Sequence, residues 1–170
     1  QSLRNNECEV ALAGGVNLML TPFVTIMESR AQMLSPDGRC KTFDRTANGY
    51  VRGEGGGIIV LKSLSAAIRD NNLILGLIKG SAVNHGGTSS GLTVPNQLSQ
   101  EQLIRQALKN AQVKPEDISY IEAHGTGTSL GDPIELGALS TVFAKNPQPV
   151  WVSSVKTNIG HLEAAAGIAG

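Results

Sequence analysis

The chain has 170 residues, enough for one domain with a real core and too few for two ordinary ones. Fourteen Lys and Arg offset fourteen Asp and Glu. The resulting neutrality argues against a nucleic-acid or membrane-surface protein, either of which needs a basic excess or stripe. No apolar run approaches the roughly 18 residues of a membrane span, and nothing resembles a secretory leader, so a cytoplasmic location is expected. Glycine is abundant at 20 residues while aromatics make up 4% of the chain, which favours a tightly packed α/β core of small residues over an aromatic-rich sandwich. Cys8 and Cys40 make neither a disulfide framework nor a metal motif and read as structural thiols.

In chain order, the polar QSLRNNE start reads as the tail of a helix, and the final LEAAAGIAG reads as a helix still in progress. Neither end carries cap or turn signals, so the chain is expected to be truncated on both sides. Residues 9–16 (EVALAGGV) form a short apolar run, expected as a buried strand. Residues 21–34 have helical spacing, with Pro22 in the first turn. Residues 35–57 are glycine-punctuated but too ordered in their charges for a linker. Residues 58–61 (IIVL) read as a mid-sheet strand covered on both faces. A short helix over 63–70 and another strand region over 73–83 follow.

Two further helices have marked starts. Ser99 with Gln102 reads as a capping box, ahead of an apolar face of Leu103, Ile104, Ala107, Leu108 and Ala111. Asp132, Pro133 and Glu135 read as N-cap, N1 and N3 of the next helix. Between them, 119–123 is expected as a strand running into HGTGTSLGD, and 150–155 as a strand running into KTNIGH. Strand, histidine loop and helix thus occur twice, and a layered α/β fold accounts for the pattern.

Ligands gather at such strand-to-helix junctions. The first offers His124, Thr126 and Thr128 between Gly125 and Gly127, glycines that would let a substrate approach the backbone. The second offers Lys156, Asn158, Gly160 and His161, followed by Glu163, with Lys156 and Glu163 a candidate ion pair and Ala164–Ala166 small enough for close packing. Neither a GxxxxGK[ST] nor a GxGxxG signature is met in HGTGTSLGD, and the 53–57 glycines precede a strand and not a helix, so nucleotide loops are disfavoured. His85, His124 and His161 are spaced 39 and 37 residues apart, which does not support a metal site.

Three blocks, FDRTANGYVRGEGGGIIVLK, EAHGTGTSLGDPIE and VKTNIGHLEAAAG, resemble those of the β-ketoacyl synthases in order and spacing, and ALAGGVN fits as well. The wording HGTGT and KTNIGHLEAAAG resembles type I modular polyketide synthases more than stand-alone bacterial fatty-acid enzymes. The resemblance implies a thiolase-like layered α/β/α/β/α fold, incomplete at both ends, with residues 1–170 spanning the C-terminal part of one half and most of the other, and no second domain. It implies a Cys-His-His site in which His124 and His161 are the histidines, Lys156 a conserved lysine held by Glu163, and Thr126 and Thr128 hydroxyls that contact phosphopantetheine. The nucleophilic cysteine is expected upstream of Gln1, since neither Cys8 nor Cys40 has its sequence context. The implied reaction is decarboxylative Claisen condensation of an acyl-Cys thioester with a malonyl-type extender on acyl carrier protein. No metal and no directly bound cofactor are implied. The implied partners are that carrier protein, an acyltransferase and other synthase domains in cis, and a second copy in a homodimer, with no nucleic acid or membrane. Asn84-His85-Gly86-Gly87 departs from the commoner NxDG loop, with Gly86 in place of the acid. A decarboxylating starter domain with Gln as the upstream residue, a non-catalytic chain-length partner and, less favoured, a thiolase remain as alternatives.

Overall fold

The computed structural model describes residues 1–89, 91 and 94–170. The first strand, β1 (Val10–Asn17), pairs antiparallel with β2 (Gly55–Lys62), from Val10 opposite Lys62 to Asn17 opposite Gly55. Strand periodicity puts Ala11, Ala13 and Gly15 on one face. Their small size lets the C-terminal turn settle directly on the sheet: a Cβ at Gly15 would lie 2.6 Å from the Ala164 carbonyl oxygen. The close packing expected of Ala164–Ala166 is therefore present, although the segment opens as a 3-10 turn over Glu163–Ala165 before a short helix.

The opposite face is bare. Among the described residues Leu12, Val16, Ile58 and Val60 are between 64% and 72% exposed and Ile59 on the other face is 43% exposed, so the 58–61 run is covered only in part on one face and left open on the other. The β-branched run is a strand as expected, but among the described residues β1 alone lies alongside it, and none packs over its outer side. Residues 73–83 form no strand and join no sheet among the described residues, leaving Leu73 and Leu75 almost fully exposed.

Helix α1 (Phe23–Arg30) is shorter than its apolar spacing suggested. Pro22 occupies the N-cap position, and Gln32 at φ 56° turns the chain out of the helix. In α2 (Leu64–Arg69) the Ser63 hydroxyl accepts from Ala66 N. Helix α3 (Gln97–Ala111) starts two residues before the expected cap: Asn96 is the N-cap, its Oδ1 accepting from Ser99 N at 3.2 Å. Ser99 instead donates its hydroxyl to the Gly86 carbonyl, while Asn84 donates to the Ser99 carbonyl, tying the variant 84–87 loop to the first turn of α3. The apolar face read from the sequence is the half-buried one, and it packs on α4 (Gly131–Phe143).

Strands β3 (Tyr120–Glu122) and β4 (Trp151–Ser153) pair in parallel, Ile121 opposite Val152. Parallel neighbours need a crossover, and α4 supplies it. Both strands end at the same edge of this small sheet, bringing the HGTGT loop and the KTNIGH segment side by side. The 35–57 segment runs against them and is held by side-chain bonds, Ser35 to Asn48 and Asn48 to Asp37 among them. No helix among the described residues is long and apolar enough to cross a membrane.

Candidate active site

The HGTGT loop leaves β3 at the buried Ala123 and is held by two carboxylates from the first turn of α4. Glu135 accepts from His124 N at 2.7 Å and from Gly125 N at 2.8 Å. Asp132, buried, accepts from Gly127 N at 3.1 Å and Thr128 N at 3.3 Å through one oxygen and from Phe43 N at 2.7 Å through the other. Asp132 is therefore the second residue of α4 and not its N-cap. The DPIE sequence puts two acids three residues apart on one helix face, and both turn back onto the loop. That bracing was missed in the sequence because the same spacing also fits a capping pattern.

The two loop glycines are required by the protein's own packing. Gly127 has φ +77°, and a Cβ there would stand 2.7 Å from Lys41 N. At Gly125, φ +45°, it would meet Thr42 Cγ2 at 2.5 Å and Ser154 Cβ at 2.8 Å. Glycine alone fits both the left-handed backbone and the close approach.

His161 lies beyond the short helix α5 (Lys156–Ile159) and is clamped through its backbone. Its N–H donates to the Val51 carbonyl at 2.7 Å and its carbonyl accepts from Gly53 N at 2.9 Å, a parallel bridge to Arg52. Its ring centroid is 5.5 Å from that of His124, nearly perpendicular at 84°, and 5.4 Å from that of Tyr50. The Glu163 backbone N–H donates to His161 Nδ1 at 2.8 Å. A backbone amide can only donate, so Nδ1 is an acceptor and the neutral ring carries its proton on Nε2.

The structure thus brings His124, His161 and the buried Lys156 into one site. Burial pushes both histidine pKa values down, for His124 with the Lys156 charge next, for His161 with His124 and then Lys156. Thr126 is buried and lines a pocket of about 290 Å³ with His124, Asp132 and Glu135, walled by Leu103 and Ile104 of α3. Thr128 turns away from that pocket: its hydroxyl accepts from Gly131 N at 3.1 Å and lies 3.4 Å from the Thr126 hydroxyl.

Glu163 does not pair with Lys156. It makes a two-pronged contact with the Arg52 guanidinium, with Nη2 to Oε2 at 2.7 Å, because its left-handed backbone at φ 46° turns the side chain toward the strand-end segment. Among the described residues Lys156 has no ion-pair partner. Cys40 is buried with its sulfur on the Val51 backbone, and Cys8 precedes β1. No cluster of three or more His, Cys, Asp or Glu is placed to hold a metal among the described residues.

The depressed histidine pKa values fix a sign for pH dependence. Both folded values lie below the ordinary value of about 6.5. Above that pH neither state holds a proton at these rings. As pH falls through about 6.5 the unfolded chain takes up protons that the folded rings refuse, so stability is lost until the pH passes the lowered folded values. A stability profile of the complete domain is expected to fall on the acid side below about 6.5; replacing both histidines with Gln should remove that component.

Two family models match the chain. Residues 75–170 match the β-ketoacyl synthase C-terminal domain, and residues 1–67 match the N-terminal domain. The chain belongs to the β-ketoacyl synthase family. Among solved structures, the ketosynthase from module 6 of the bacillaene synthase of Bacillus subtilis 168 is similar with a TM-score of 0.95 and 50% identity, over 99% of this chain and 31% of that one. An oxazolomycin ketosynthase domain from Streptomyces albus JA3453 gives the same TM-score at 44% identity, over 99% of this chain and 30% of its own. These likenesses show the thiolase-like ketosynthase fold, of which the present chain is a part. Curated relatives include a phenolphthiocerol/phthiocerol polyketide synthase polypeptide of Mycobacterium tuberculosis (strain H37Rv), 57% identical over 172 residues. A different polypeptide of that synthase, from strain CDC 1551, is 52% identical over 170 residues. This ketosynthase-family chain is fully covered by both matches and spans 8% and 11% of those two relatives.

Proposed function

We propose that the chain supplies the decarboxylation and condensation machinery of a polyketide-type ketosynthase. The observation that carries this reading is the pair of imidazoles set edge to face, with the His161 proton directed to Nε2 by the Glu163 amide. A neutral Nε2–H is a hydrogen-bond donor that needs no compensating charge, suited to an enolate oxygen.

In this reading, a cysteine thiolate from a segment outside this chain carries the growing acyl group as a thioester. A malonyl-type thioester enters on the phosphopantetheine arm of acyl carrier protein. Its C–C bond to the carboxylate breaks, CO₂ leaves, and the electron pair passes to the thioester carbonyl as an enolate. His124 and His161 each donate one ring N–H to that oxygen. The enolate carbon then attacks the acyl-Cys carbonyl, the new C–C bond forms, and the C–S bond breaks to regenerate the thiolate. Lys156 contributes a fixed positive charge that disfavours protonation of both rings. Thr126, on the pocket wall, offers its hydroxyl to an amide of the arm, with Thr128 behind it. The complete domain works in the cytoplasm as a homodimer, beside an acyltransferase and the other synthase domains.

The test is CO₂ release from malonyl-loaded carrier protein by the complete domain, measured with and without an acyl group on the nucleophile. Release coupled to a 3-oxoacyl product is expected. Acyl exchange with no CO₂ release would instead point to a thiolase-type reaction.

A further inference from the structure

We propose that Arg52 is a positioning residue for His161, acting through Glu163 to hold the imidazole in its Nε2–H form. Its effect on turnover rests on the reading of His161 as an enolate donor; its effect on the ring does not.

Arg52 lies where three parts of the chain converge. Its side chain is only 7% exposed. Nε and Nη2 engage the two Glu163 oxygens, and Nη1 donates to Thr25 Oγ1 of α1 at 2.8 Å. Glu28, one turn along α1, brings Oε2 to 3.1 Å of Nε, yet that oxygen is buried and accepts no hydrogen bond. One cation therefore stands between two acids, and the planar fork is spent on Glu163 and not on Glu28. Bidentate geometry of this kind fixes orientation as well as charge, which an ammonium group does not.

What the fork orients is a strained residue. Glu163 is not a glycine, yet it sits at φ 46°, a conformation that persists only when the surroundings over-determine it. The Leu162–Glu163 peptide plane, whose rotation sets ψ of Leu162 and φ of Glu163 together, is the one that points the Glu163 N–H at His161 Nδ1. Arg52 is also the residue paired with His161 in the parallel bridge, whose hydrogen bonds come from its neighbours Val51 and Gly53, so one short segment fixes the ring's main chain and carries the fork behind its tautomer. If the fork is removed, the Leu162–Glu163 peptide is free to rotate, which takes Glu163 to negative φ and its amide away from Nδ1, and the proton redistributes between the two nitrogens.

The experiment is ¹⁵N NMR of histidine-labelled complete domain, comparing wild type with Arg52→Gln and Glu163→Gln, alongside CO₂ release and acyl loading of the nucleophile. In wild type, His161 is expected to show a protonated Nε2 and an unprotonated Nδ1. In both variants the two signals should move toward each other, and decarboxylation should fall roughly 10- to 100-fold while acyl loading is kept. Glu163→Gln leaves Arg52 beside Glu28, so it carries the same readout if Arg52→Gln does not fold. Unchanged His161 signals in either folded variant would overturn the proposal. Shifted signals with unchanged CO₂ release would uphold the positioning role and remove His161 from the decarboxylation step.

Discussion

His161→Ala in the complete domain is expected to lower decarboxylation and condensation by about 10²–10³, the usual consequence of removing one preorganised donor to a developing oxyanion. Acyl transfer onto the nucleophile should stay close to wild type, since that step develops its charge on a different oxygen. The substitution is well suited to the question because the residue's backbone bonds, to Val51 and Gly53, survive it. What is lost is the ring between Tyr50 and His124 and the acceptor for Glu163 N. Parallel single-turnover assays of acyl loading and of CO₂ release separate the steps. A variant that fails to load acyl groups while still releasing CO₂ would reverse the role assigned here. Tyr50 is not expected to substitute as an acid or base: burial, with the nearby Glu28 charge next, pushes its pKa up to about 12, so it remains a phenol.

Asp132→Ala is expected to have the largest effect on the architecture of the site. One buried carboxylate accepts from three backbone amides, those of Phe43, Gly127 and Thr128. Truncation strands all three, and each unpaired buried donor costs about 1–3 kcal/mol. Because water can enter part of the gap, a total of about 3–5 kcal/mol is the expected loss. The loss should be local, read as faster hydrogen exchange at the amides of residues 125–128 with less change in α3. Asp132→Asn keeps one acceptor oxygen and should lie between the two. Exchange in Asp132→Ala no faster than wild type would mean that Glu135 and the glycine packing hold the loop unaided.

The sequence was informative wherever local chemistry sufficed. Both histidine loops were legible because a strand-like run, a glycine-rich turn and a helix start follow in register. The covalent order alone also placed His124 and His161 at equivalent junctions, and the family match bears out the resemblance carried by those blocks. The half-buried face of α3 followed from 3.6-residue periodicity, and the β1 and β2 runs from their apolar patterns. Helix starts were less secure. Asn96, Ser99 and Asp132 are all acceptable caps by type, and only the neighbours reached by each side chain decide among them.

Partner choice was a tertiary matter throughout. Glu163 lies seven residues from Lys156 and 111 from Arg52, yet it pairs with Arg52, because the strand-end bridge at His161 and the left-handed turn at Glu163 set the direction of its side chain. At Gly125 and Gly127 the space a Cβ would take is filled by Lys41, Thr42 and Ser154, three residues distant in sequence from the loop. The 58–61 run was a strand by composition, but whether a strand is covered on one face or two depends on what packs against it. The sequence by itself determined which residue types stand at each junction and which elements present them, because these follow from periodicity and turn chemistry within a few residues. Only the tertiary structure decided that the two rings meet edge to face and that Arg52 stands behind Glu163, because those depend on contacts between segments tens of residues apart.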